Sequence, residues 1–356
     1  MMPPSRRSYR GTYLALAAFL ALAAVASMCI GAFMFTPAHI VRFVGQQMGW
    51  VATVDSDTLG RSVFFQLRLP RVLISGLTGA VLGVSGTLMQ GLFRNPIVEP
   101  GLAGTSAGAA LGAALVFVLG SGTMVAFTTI AGAFAVPLLA FAGAFTATMI
   151  VYRISASFGK VNVFTLLLAG IAINAMCAAG TGFLSYIARD PQARNITFWN
   201  LGTFTTADWR SVSIVAPAFA LCFAFASRYG KALNALMLGE DEAALLGIDA
   251  DRLVWRLLLV NTVMVAAATS MVGVIAFVGL IVPHLLRILR SSDYTFLLPA
   301  SALLGAGIME AVDVVARMVI TPAELPVGIL TAIVGAPVFL WILLRQQRQG
   351  SSGFYG

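Results

Sequence analysis

Long apolar runs, separated by short polar, charged or proline-marked breaks, fill the chain almost from end to end. The pattern predicts ten membrane-crossing helices, near residues 12–35, 67–92, 97–119, 122–151, 163–187, 211–227, 253–275, 277–290, 296–318 and 325–344. A straight crossing needs roughly 20 apolar residues. Several of these runs are shorter or contain proline, so neighbouring helices must cover their loosened backbone. Small residues four apart supply the close approach this requires: Gly79 with Gly83, and Gly104, Gly108 and Gly112. The expected fold is an all-α polytopic membrane protein with about ten transmembrane helices, several short or broken.

Composition agrees. Of 356 residues, 59% are hydrophobic and 10% are charged, against roughly 45–50% and about 25% in soluble domains. Mean hydropathy is +0.91. Arg6, Arg7 and Arg10 precede the first run as in a signal peptide, but the run exceeds a signal core of about 7–15 residues and is expected to be a retained span. With the N-terminus inside, 14 of the Lys and Arg residues fall on the inner side and 8 on the outer. This bias predicts that both tails, 1–11 and 345–356, are cytoplasmic and flank one transmembrane domain, 12–344. The outer arginines remain unusually many. Two outer loops stand out, 36–66 with Asp55 and Asp57, and 188–210 with Arg189, Asp190, Arg194, Trp199, Asp208 and Trp209.

The main inner loop, 228–252, has a different character. Glu240, Asp241 and Glu242 suit a helix N-terminus, and Gly247 suits its end. Ala243, Leu246 and Leu245 would share an apolar face. Such a short amphipathic helix needs either a groove to lie in or a place as a solvated connector.

Catalytic chemistry is sparse. Cys29, Cys177 and Cys222 each lie in an apolar run, without metal-ligand or disulfide spacing. The histidines, His39 and His284, are too few for a His cluster, so no metal site is expected. Lys160 and Lys231 are the only lysines, and neither belongs to a G-x-x-x-x-G-K-S/T loop, so ATP is not hydrolysed by a P-loop in this chain. Glu99, Glu310, Asp313 and Glu324 lie in or near apolar spans, where ionisable groups are costly. Helix-end pairing is the expectation, including Asp313 with Arg317 one turn on. A proton relay through Glu310, Asp313 or Glu324 would instead make the chain a secondary transporter.

Specific strings then resemble a known family, the FecCD-type permeases of ATP-binding-cassette importers. They are Arg68-Leu-Pro-Arg71, Ser85-Gly with Gln90, Arg94-Asn-Pro96, Glu99-Pro-Gly-Leu-Ala-Gly104 with Ser106, and Leu167-Leu-Ala-Gly170. Trp199-Asn-Leu-Gly202, Leu238-Gly-Glu240 with Leu246-Gly247, Phe277-Val-Gly-Leu-Ile-Val-Pro-His284, Leu297-Leu-Pro299, and Glu324-Leu-Pro-Val-Gly328 with Gly335-Ala-Pro337 follow in family order.

The resemblance implies the type II importer architecture in a bacterial inner membrane. It implies a second copy of the chain across a central path, two ATPase subunits below and a periplasmic binding protein above. Nucleic acid is not an expected partner. Arg68, Arg71 and Arg317 match positions that dock acidic residues of the binding protein, which would account for the outer arginine excess. Gly239, Glu240, Ala243, Leu246 and Gly247 match the loop that couples to the ATPase. The family's gate maps to Asn162, Val163, Phe164 and Thr165, more apolar here than usual. The stretch Tyr186 to Trp209 looks most like haem permeases, with Arg189 or Arg194 available to haem propionates. A ferric siderophore or cobalamin is the alternative cargo. No cofactor is expected to be held permanently, and ATP is used by the partner.

Overall fold

A computed structural model describes residues 9–31, 33–50, 58–157, 160–320 and 323–351. Asp55 and Asp57 of the first outer loop, Arg6 and Arg7, and the last residues of the C-terminal tail lie outside the described residues.

In chain order the helices begin with α1 (Arg10–Cys29), α2 (Pro37–Gln47), α3 (Thr58–Val63), α4 (Leu69–Leu92), α5 (Thr105–Leu119) and α6 (Val125–Ala131). α7 (Ala135–Ser155), α8 (Val163–Ile187), α9 (Asp190–Asn200), α10 (Trp209–Ser227) and α11 (Gly230–Leu236) follow. The last are α12 (Glu240–Leu245), α13 (Ala250–Val272), α14 (Val278–Leu289), α15 (Tyr294–Met318) and α16 (Val327–Ser351). Strands β1 (Ala156–Ser157) and β2 (Lys160–Val161) form a minimal antiparallel hairpin between α7 and α8. Among the described residues, seven helical segments are long and apolar enough to cross a membrane, and 105–119, 278–289 and 327–341 are shorter apolar helices. Together they reproduce the ten predicted spans.

α4 is buried over nearly its whole length, and α13 and α15 over most of theirs. α1, α8 and α10 are mostly exposed and apolar, as expected of helices whose outer surface meets lipid or another chain. Glycine decides how closely the centre packs. A Cβ at Gly79 would lie 2.2 Å from the carbonyl oxygen of Gly305, and one at Gly83 would lie 2.4 Å from that of Ser301, so α4 and α15 touch backbone to backbone. Gly108 and Gly112 meet Gly143 and Leu139 of α7 in the same way. Hydroxyls join the helices: Thr87 to Ser301 at 2.7 Å, and Thr105 to Thr148 at 3.0 Å.

Pro217, Pro283, Pro299 and Pro337 lie inside helices that continue past them, so these prolines do not mark span ends. The short helices instead stop at distinct backbone features. Gly273 ends α13 at φ +80°, and Phe277, a non-glycine residue at φ +69°, opens α14 with its N–H held by Glu99 Oε1 at 2.7 Å. The turn after α9 lies between two others. Thr203 N–H donates to Val272 O at 2.8 Å, while Val327 and Gly328 donate to Gly202 O and Leu201 O at 3.1 and 3.0 Å.

Candidate functional sites at the two ends of the bundle

The polar loops separate into two groups. At one end, Tyr9 donates to Ser291 Oγ, Asp251 accepts from Val161 N–H, and Arg94 pairs with Glu240. At the other end, Arg68, Arg71, Glu324 and the 204–207 turn surround one cavity.

The arginines at this end, the one expected to face outward, are internal staples. α1 stops near Cys29, leaving carbonyls without helical partners. Arg68 donates to Ile30 O at 2.9 Å and Phe33 O at 3.0 Å. Arg317 donates to Ile30 O at 2.6 Å and to Ser27 Oγ at 2.8 Å, and it pairs with Asp313 at 3.1 Å. Cations at a helix C-terminus also oppose its negative dipole end. A π-helical turn, Phe64–Arg68, widens the α3–α4 rod where Arg68 turns back to reach α1. Arg71 grips Asp313 at 2.8 Å and Glu324 at 2.9 Å.

This geometry gives the arginines expected to dock a partner a second role inside the chain. Arg68 and Arg317 are 8% and 6% exposed and committed to carbonyls of their own chain, so in this conformation neither offers a free guanidinium to a partner. Arg71 and Glu324, paired with each other, line a cavity of about 410 Å³ together with Arg68, Arg317, Phe33 and Phe204. The expected Asp313–Arg317 helix pair is present, and Arg71 joins it.

Arg189 caps the start of α9, a helix inside the predicted outer loop, Arg194 sits on it, and both are exposed. Arg194 lies over the Phe198 ring at 5.4 Å. Ile196, on the opposite face, anchors α9 against Ala114 and Leu184.

At the end expected to face inward, α12 forms where the sequence placed it. Its first turn is Glu240, Asp241 and Glu242, next to the positive end of the helix dipole. Gly247, at φ +77°, ends it in a Schellman turn: Ile248 N–H donates to Ala243 O at 3.0 Å, and Gly247 N–H to Ala244 O at 2.9 Å. The apolar face divides differently from the expectation. Ala243 is fully buried and packs inward, so it seats the helix and cannot touch a partner. Leu245 and Leu246 are 88% and 65% exposed, and Leu238 is also exposed. Gly239, at φ +140°, opens the helix, and Glu240 pairs with Arg94 at 2.6 Å. Arg94 itself stands at φ +50°, a conformation unusual for a non-glycine residue.

Sequence reasoning gave no role to the Arg94–Glu240 pair or to the nearby Asp293. Partial burial alone would raise the Asp293 carboxyl, yet hydrogen bonds from Asn234 and from the Thr295 N–H and hydroxyl hold it below the ordinary carboxylate range. The residues expected to form the gate lie at the same end. Asn162 caps α8, its Oδ1 accepting from Thr165 N–H at 2.9 Å, and Phe164 is exposed beside it.

Comparison with known proteins matches this arrangement. The FecCD transport family matches residues 19–345. The Hemin transport system permease protein HmuU of Yersinia pestis is 40% identical over 289 residues, 81% of this chain and 85% of its own. The Cobalamin import system permease protein BtuC of Halobacterium salinarum is 40% identical over 277 residues, 78% of this chain and 72% of its own. A solved structure described as an inward-facing metal-chelate type ABC transporter superposes with a TM-score of 0.80 at 31% identity, covering 95% of this chain and all of that one. The chain belongs to the FecCD transport family, as the multi-pass permease subunit of an ATP-binding-cassette importer in which a separate chain hydrolyses ATP.

Proposed function

We propose that the chain imports haem, as one half of a homodimer with both termini in the cytoplasm. The observation that carries the cargo is the exposed face of α9, where Arg194 lies over Phe198, with Arg189 exposed at the helix N-cap. Guanidinium groups bind carboxylates by charge-assisted hydrogen bonds, and aromatic rings accept a flat macrocycle. Haem offers both features, two propionates on a planar ring. The likeness to HmuU supports the same cargo, while the likeness to BtuC keeps cobalamin as the reading to exclude.

A periplasmic binding protein docks over the outer cavity, with Arg71 and Glu324 as the charged rim. The second copy covers the apolar faces of α8 and α16, where Phe164, Ile171, Phe183, Ile333 and Val334 stand out of the core. Two ATPase subunits receive Leu238, Leu245 and Leu246 around α12. Uptake by the reconstituted complex, run in parallel with haem, a ferric siderophore and cobalamin, tests the cargo. Haem should accumulate, and Arg189→Gln with Arg194→Gln should reduce it. Accumulation of cobalamin without haem would overturn the cargo reading.

A further inference from the structure

The inner ends of the central spans are joined by a polar network that includes one arginine with no role so far. Arg287 stands in the last turn of α14. One of its guanidinium nitrogens donates to Gln90 Oε1 on α4, and the other donates to the Tyr294 hydroxyl on α15 at 3.2 Å. The guanidinium also lies 5.8 Å from the centre of the Tyr294 ring. Gln90 and Tyr294 are 1% and 2% exposed, so the network is set into the core. The Gln90 amide is oriented by its second bond, Nε2 to Leu280 O at 3.4 Å. Tyr294 passes the contact to the coupling segment. Its hydroxyl donates to Met237 Sδ at 3.6 Å, and its N–H donates to Asn234 Oδ1 at 2.9 Å. Met237 directly follows α11 and leads into α12. One arginine therefore holds α4, α14 and α15 together at the point where the segment carrying the exposed Leu245 and Leu246 is seated.

We infer that Arg287 is a positioning residue for energy coupling: it locks the α11–α12 segment to the spans, so that displacement of that segment moves α14 and α4 with it. The inference rests on the reading that α12 receives the ATPase. Two features set Arg287 apart from the Arg94–Glu240 pair. Arg94 and Glu240 are both substantially solvent-exposed, and water screens such a pair. Arg287 bridges two buried partners through separate nitrogens, which a planar guanidinium can do and an ammonium cannot.

The test uses the complete complex in proteoliposomes and reads cargo delivered per ATP hydrolysed. Arg287→Ala, which removes the charge-assisted contacts to both Gln90 and Tyr294, should leave ATPase subunits bound and hydrolysing while this ratio falls at least about tenfold. Arg287→Lys should fall between Arg287→Ala and the wild type. Tyr294→Phe, which keeps the ring and removes only the hydroxyl, should lower the ratio in the same direction and decides the matter if Arg287→Ala does not fold. An unchanged ratio in the folded variants overturns the inference. Leu245→Asp with Leu246→Asp tests the underlying reading separately. If ATPase subunits still co-purify with that variant, docking at α12 is wrong; if they are lost while the Arg287 and Tyr294 variants couple normally, only the role of Arg287 is wrong.

Discussion

The two ends of the bundle use charge in opposite ways. At the outer end, Arg68, Arg71 and Arg317 turn inward, to carbonyls of α1 and to Asp313. At the inner end, the acidic first turn of α12 faces water, and the leucines that follow it project outward. The first arrangement serves the chain itself, because a helix end and a buried carboxylate would otherwise lack partners. The second does little for the isolated chain, since exposed Leu245 and Leu246 bury nothing within it. Buried charge therefore marks internal structure here, and exposed apolar surface outside the membrane marks a partner.

The largest expected effect breaks the outer end. Asp313→Ala removes the carboxylate shared by Arg71 and Arg317 and leaves buried cations, a loss of about 3–5 kcal/mol. Thermal unfolding in detergent should show it, and unchanged stability would mean that these arginines are solvated. Next is the inner end. Leu245→Asp with Leu246→Asp should abolish ATPase co-purification while leaving unfolding unchanged, the opposite signature. A third variant sharpens the contrast: Gly247→Val forces a β-branched residue to positive φ, costs about 1–2 kcal/mol locally and should uncouple transport. Uptake at the wild-type level would show that the Schellman turn is dispensable. Arg94→Ala should be small, about 0–1 kcal/mol for a solvent-accessible pair, measured by the same unfolding assay. The smallest effect concerns Asp293. Its carboxyl titrates below the ordinary range when folded, so its contribution is present above the unfolded pKa of about 3.9 and fades as pH falls through the lower folded value. Asp293→Asn should flatten stability against pH only in that acid window.

Much of the fold was legible because hydropathy and span length are local properties. The span at 163–187 coincides with α8, and the predicted close approaches at Gly79, Gly83, Gly108 and Gly112 are real, whereas Gly104, at φ +88°, turns the chain into α5 and meets only side chains at 3.5 Å. Helices α2 and α9, with the short α3, lie inside stretches read only as outer loops. α2 opens with Thr36 and His39 in a reciprocal cap and Pro37 in its first turn; α9 opens with Asp190-Pro191. These start signals could have revealed both helices, but polar loops give no span-like hydropathy. Ala243 was grouped with Leu246 and Leu245 on one apolar face, but it packs inward while they project outward, since a sequence does not say which neighbour each residue meets. The partners of Arg68 and Arg71 were not legible at all. Arg71 and Asp313 are 242 residues apart, and only tertiary packing brings them together. The family strings also gain a physical meaning. Glu99 meets Phe277, and Gly202 meets Val327, so several of these strings are the joints between short helices.

The central claim is that an ATPase bound at α12 drives transport, and the driving force tests it most directly. Haem uptake should be measured in proteoliposomes holding the permease, its ATPase and its binding protein, with ATP, vanadate and a protonophore varied independently. The account predicts uptake that requires ATP, stops with vanadate and is indifferent to the protonophore. Uptake that continues without ATP and collapses with the protonophore would contradict it and point to Glu310 and Asp313 as a proton path.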